Sequence, residues 1–335
     1  MLKIRNILFR ELLIFVGFTV LLFVLYKFVP ESIIRNDFPG TSINVLGLHR
    51  NYFFQYFYFL YALVTGRVGY VHSLIYSGSV TGAISLLFPE TVVFLILTFA
   101  ISYEASYMIG FHTGTAFKTV KKLSMNIFPL LFLYLGAGLT LLTVFSGLLG
   151  WFPFSGVLSS SSLAESWISY TGRDLFISSP TDIIIIDGII HNSPGILIDY
   201  FKHIALPFLA LFIPTTIYLS VYISHETSIE YNKNYIRSGI TRDAFRDNYT
   251  AYIKRGIKPR ILEEIKPVFL IFMGGMVLVS FIFSYMNLGE FTVYSFLNYD
   301  FGFMGGVYSL FMLALIIIVF DAIVDIINVG AKNEN

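Results

Sequence analysis

The sequence predicts an all-α polytopic membrane protein with six transmembrane helices and both termini on the same side. Three observations carry this. Charged residues are 13% of the 335 positions, hydrophobic ones are 56%, and mean hydropathy is +0.74; soluble domains carry about 25% charged residues. Six runs supply the ~20 mainly apolar residues that a helical span needs. Lysine and arginine also concentrate in alternate connecting segments, as the positive-inside rule requires.

The first run covers residues 12–29 and is closed by Pro30. Lys3, Arg5 and Arg10 precede it like the start of a signal peptide. The run is long for such a peptide and no small-x-small site follows, so it reads as a retained span. The others cover residues 91–111, 127–149 (closed by Trp151), 203–224, 268–288 and 305–329. Residues 52–64 are apolar but short, rich in Tyr and interrupted by Gln55, which predicts an interfacial or re-entrant helix. Ile183 to Ile190 is too short to span. With the N-terminus inside, segments 1–11, 112–126, 225–267 and 330–335 hold 16 of the 22 basic residues. Lys27, Arg35, Arg50, Arg67, Arg173 and Lys202 are the remaining six.

Two outside loops are large. Residues 30–90 contain the aromatic stretch. Residues 150–202 contain SGVLSSSSLAES and then Asp174, Asp182, Asp187 and Asp199. Serine-rich composition predicts a flexible surface loop there, with partner docking or no role as its two readings.

Within the basic inside segment, Phe245, Tyr249, Tyr252 and Ile253 share one helical face. Thr241 can cap that helix, Gly256 sits where it should stop, and Lys254 and Arg255 suit its last turn. Pro259 fits the start of a second helix with Ile261, Leu262 and Ile265 on its apolar side. The expectation is helix, glycine break, helix, ringed by Arg242, Arg246, Lys254, Arg255, Lys258 and Arg260. It is either a solvated basic loop or an element that transmits force from a soluble motor.

Several chemistries have no residues to rest on. There is no GxxxxGK[ST] phosphate loop, HExxH pair or GxSxG elbow, and no cysteine. No metal, cofactor or nucleic-acid site is expected on this chain. Glu104, inside the second span, is the one charge to explain. A carboxylate at mid-membrane costs about 2.5–3.5 kcal/mol and usually faces a bundle interior or a wet cavity. It lines a pathway, couples a proton, or sits near the inner leaflet and bonds a neighbouring helix through Ser102 or Ser106. Gly136, Ala137, Gly138, Gly274 and Gly275 allow close helix approach.

The order of these pieces resembles the B-type membrane permease of dipeptide, oligopeptide and nickel ABC importers. The motifs are Leu46-Gly47-Leu48 with Tyr56, Gly66-Arg67-Val68-Gly69-Tyr70, and Leu87-Phe88-Pro89-Glu90-Thr91. Next come Gly150-Trp151-Phe152-Pro153-Phe154-Ser155-Gly156 and His203-Ile204-Ala205-Leu206-Pro207. Phe283-Ser284-Tyr285-Met286-Asn287-Leu288-Gly289, Asn298-Tyr299-Asp300 with Gly306-Val307, and Val324-Asp325 complete the set. Departures at Pro30-Glu31 and Asp247-Asn248 mark a divergent branch.

The resemblance implies the type I ABC importer transmembrane fold with cytoplasmic termini, in a prokaryotic plasma membrane. Residues 1–90 would be the first helix and an outside loop, 91–329 the permease core and 330–335 a cytoplasmic tail. It implies a coupling helix in 225–267, marked by Asp247 and Gly256, with Lys254, Arg255 and Arg260 beside it. It implies a second permease as partner, two cytosolic ATPase subunits carrying ATP and Mg, and an extracytoplasmic solute-binding protein, besides membrane lipid. The cargo would be a peptide or similar small solute. An ion- or proton-coupled carrier using Glu104 is the alternative, and a membrane-embedded enzyme a weaker third.

Overall fold

A computed structural model describes residues 2–38, 46–48, 50–72, 76–116, 127–171, 176–241, 249–297 and 302–333. The chain is helical and polytopic, with six helices long and apolar enough to cross a membrane. They are α1 (Leu2–Lys27), α4 (Val80–Ala116), α5 (Pro129–Leu141), α7 (Pro194–Tyr231), α9 (Tyr249–Ile282) and α11 (Phe303–Asn333), with α5 prolonged by a π-helical turn, Leu142–Leu148. Between them lie α2 (Glu31–Asp37), α3 (Tyr52–Thr65), α6 (Ile184–Ile190), α8 (Asn234–Thr241) and α10 (Leu288–Leu297). Two short antiparallel hairpins, 70–72 with 77–79 and 169–171 with 176–178, add strands that the all-α expectation lacked.

The spans outrun their apolar windows. The second begins at Val80 rather than residue 91 and carries Pro89 inside it. The fourth keeps Pro207 and Pro214 inside, the fifth Pro259 and Pro267. Proline is tolerated in such helices because neighbouring groups satisfy the freed backbone. Thr91 and Thr215 hydroxyls donate to the carbonyls of Leu87 and Leu211 near these prolines.

The closest helix pair is α4 with α7. Ser102, Ser106, Gly110 and Gly114 recur every fourth residue on α4 and are all buried. A Cβ on Gly110 would lie 2.6 Å from the Ser220 carbonyl oxygen, and one on Gly114 would lie 2.5 Å from that of Ser224. Small residues at this spacing let two helix backbones meet. Gly275 does the same for the Tyr134 ring, whereas Gly136 has nothing within 4 Å.

Both chain ends lie at one end of the bundle, because Arg10 of α1 pairs with Asp325 of α11. Lys266 of α9 reaches the same carboxylate at 2.7 Å. At the opposite end α3 rests on α1, where the Tyr26 and Phe59 rings stack 5.3 Å apart. Gln55 leaves α3 unbroken: it is buried, and its amide donates to the Leu48 carbonyl at 3.0 Å and also to that of Arg50. The serine-rich stretch expected as a flexible loop is docked. The Ser159 amide and hydroxyl both donate to Asp199 at 2.8 Å, and Val157, Leu158 and Leu163 are buried.

Candidate functional site

The basic segment folds into a hairpin at the end of the bundle that holds the chain termini. Its arms are the last turns of α7, with α8 after them, and the first turns of α9; residues 242–248 lie outside the described residues. The expected glycine break is absent, since α9 runs without interruption from Tyr249 through Gly256 and Pro259 into the fifth span. Its buried stripe is Ile253, Ile257, Ile261 and Ile265, at strict i+4 spacing. That face differs from the expected one: Tyr252 is exposed and Tyr249 half-buried. Phe245 and Asp247 lie outside the described residues.

Glu230 organises the hairpin. Its side chain is 1% exposed. Arg260 reaches it at 2.7 Å and Lys233 at 2.8 Å, and the Tyr235 hydroxyl donates to its other oxygen. Arg260 also pairs with Glu226 at 2.6 Å. Burial and the bond to Glu230 push the Tyr235 phenol up to about 12, so it stays a donor at neutral pH. The cluster thus ties both arms and α8 together through one carboxylate.

Gly256 is explained by that carboxylate. A Cβ there would fall 2.5 Å from Glu230 Cδ. The glycine makes room for the charge instead of ending the helix. Arg260, expected among the basic residues ringing the element, is turned into this cluster. Arg255 and Lys258 are exposed on α9, and Lys254 is too, its ammonium lying 5.2 Å from the Phe111 ring centre on α4. Tyr218 and Tyr222 of α7 extend the clasp upward: Tyr218 donates to Glu264 at 2.7 Å, and Tyr222 to the Arg260 carbonyl at 3.3 Å.

Glu104 lies elsewhere. It is exposed on the outer side of α4, beside exposed Ile101 and Met108. Ser102 and Ser106 do not hold it: they donate to backbone carbonyls of α4, and Ser106 also to Thr216 of α7 at 3.3 Å.

At the opposite end the separate motifs converge. Glu90 is buried and accepts from Tyr200 and, at 2.8 Å, from Tyr285. The Gly156 amide donates to the Phe283 carbonyl at 3.3 Å. Thr91 accepts from the Leu288 amide at 3.0 Å, and Asn287 caps α10 by accepting from Gly289 and Glu290 amides. Three of the motif stretches, 87–91, 150–156 and 283–289, therefore form one packed cluster. Asp37 caps α11 at 2.9 Å from the Met304 amide.

Among the described residues no group of His, Asp and Glu could hold a metal ion. Sequence reading missed Glu230 because its partner on α9, Arg260, is 30 positions away and only the folding of two helices brings the pair together. No family model matches the chain, and no curated protein matches it.

Proposed function

We propose that the chain is a permease subunit of an ATP-driven importer of peptides or similar small solutes, in a prokaryotic plasma membrane. It pairs with a second permease, two cytosolic ATPase subunits and an extracytoplasmic binding protein. The end of the bundle that holds both termini is cytoplasmic, as the lysine and arginine asymmetry favours. The ATPases act on the hairpin formed by α7, α8 and α9, and ATP with Mg stays on them.

One observation carries the reading. Helices α7 and α9 have 38 and 34 residues, or about 57 and 51 Å at 1.5 Å per residue. The hydrocarbon core of a bilayer is ~30 Å thick. The two helices therefore project beyond it as unbroken rods, and Glu230 clamps the projecting ends. A push on the hairpin moves both rods as levers inside the bundle. Two arrangements of that bundle are then biased by nucleotide on one side and by the loaded binding protein on the other.

The test is a mild-detergent pull-down of the tagged chain from its native membrane. A second six-span subunit, ATPase chains and a binding protein are the expected companions. A chain that comes down alone, and transports without ATP in vesicles, overturns the proposal.

A further inference from the structure

A groove of about 600 Å³ runs along the outside of the bundle between α4, α9 and α11. Its walls are apolar throughout, from Phe88 to Tyr103 on α4, Leu262 to Phe269 on α9, and Met312 to Val324 on α11. The fifteen positions between Phe88 and Tyr103 correspond to about 22 Å of helix. Half the hydrocarbon core of a bilayer is ~15 Å. The groove is therefore long enough to hold one acyl chain from headgroup level to the bilayer midplane.

One end of the groove is basic. Tyr103 starts a ladder of rings along α4, 6.1 Å to Tyr107 and 6.0 Å from there to Phe111. The Lys254 ammonium sits over the last two, 6.0 and 5.2 Å from their centres. Lys254, Lys258 and the lining residue Leu262 follow one another at i+4 on α9, so the two lysines continue the groove's own line beyond its apolar floor. Both are exposed. Acidic neighbours are exposed Glu263 beside Leu262, Asp321 beside Phe320, Asp325 beside Val324 and paired with Arg10 and Lys266, and Glu104, exposed next to Tyr103. Glu104 sits a turn or two nearer the groove than the lysines, which favours a phosphate at the lysines over one at the level of Tyr103.

We propose that this groove binds one acyl chain of an anionic phospholipid whose phosphate is held by Lys254 and Lys258. The proposal needs the six helices to span a membrane and does not need the permease assignment. Apolar walls alone would accept any lipid; the pair of cations at the headgroup level selects the anionic one. The two lysines flank Gly256 on α9, two residues to either side, so occupancy of the site bears on the hairpin.

The test uses the full chain, purified in detergent and delipidated, in a native mass-spectrometric titration. The probes are dioleoylphosphatidylglycerol and dioleoylphosphatidylcholine. The expected result is one tightly held phosphatidylglycerol and weaker phosphatidylcholine. Lys254→Ala with Lys258→Ala should weaken phosphatidylglycerol about 30-fold and leave phosphatidylcholine unchanged. Ala100→Trp fills the groove from α4 and should lower the affinity of both lipids, with an unchanged melting curve. Equal binding of the two lipids by the unaltered chain overturns the proposal, and that comparison needs no variant to fold. Undiminished phosphatidylglycerol binding by the lysine variant also overturns it. So does efficient Ala100→Cys cross-linking between two chains together with no lipid bound, which would make the groove a protein interface.

Discussion

Gly256 and Glu230 occupy one space: the missing side chain of the first is filled by the carboxylate of the second, 2.5 Å from where a Cβ would stand. Gly256→Ala should therefore cost about 1–3 kcal/mol, the usual range for overpacking. The cost should shrink in a Glu230→Ser background, because the clash partner is gone. A double-mutant cycle on thermal unfolding in detergent reads this coupling. Equal costs in both backgrounds would mean that Gly256 serves its own backbone and not Glu230.

Arg260 bridges two carboxylates, Glu226 at 2.6 Å and Glu230 at 2.7 Å. Removing one partner of a buried pair strands the other charge. Lys233 and Tyr235 still serve Glu230, so Arg260→Ala should cost less than the ~3–5 kcal/mol of a full orphan. Arg260→Lys should not restore the loss, since an ammonium lacks the planar fork that spans two acceptors. Melting curves of the two variants should nearly coincide.

The α4–α7 contact should tolerate nothing larger than hydrogen at Gly110 and Gly114. Gly110→Ala pushes a methyl at the Ser220 carbonyl, a backbone atom that cannot rotate away. A loss of about 1–3 kcal/mol is expected. Gly136→Ala, with nothing within 4 Å of its added carbon, should be neutral or slightly stabilising. A large loss at Gly136 would point to a partner covering that face of α5.

The connections at the motif-bearing end should make the protein pH-sensitive. Glu290 is fully buried with both oxygens unpartnered, and burial pushes its carboxyl up to about 8. Asp37 is pushed up to about 7 by burial, against the opposing pull of the Met304 and Phe303 amides. Both hold their proton more tightly folded than unfolded. Their contribution is thus complete below about 4, the unfolded carboxyl value, and is lost as pH rises through 7 and 8. Melting temperature should fall from about pH 4 to about pH 8 and level off above that. Glu290→Gln should remove all of the fall above about pH 7 and flatten it below, whereas Asp37→Asn should flatten only the part below about pH 7. A flat profile for the unaltered chain would mean that water or an ion reaches these groups.

Much of this architecture is legible in the residues. The six spans are, because apolar length alone marks them. Their ends are not: one helix runs back through Pro89 and Glu90 to Val80, and another continues through the polar turns 225–231. Gly256 was misread from local preference, which favours a stop after Arg255, while packing against Glu230 keeps the helix intact. From sequence, Gly136 is named for close approach and Gly110 and Gly114 are passed over, although these two stand at i+4. Only knowledge of which face meets a neighbour separates them. Glu90 reads as part of a motif, but nothing in its neighbourhood along the chain announces Tyr200 and Tyr285.

Asp325 belongs to the last of the six helices to be synthesised, and the two cations it receives, Arg10 and Lys266, belong to the first and the fifth. A nascent chain therefore makes both positive groups before their shared counter-charge exists. Any product released before residue 303 would leave Lys266 without this partner and Arg10 with Glu11 alone. The final helix completes the molecule's charge balance as well as its hydrophobic wall, and assembly has a natural checkpoint at its last step.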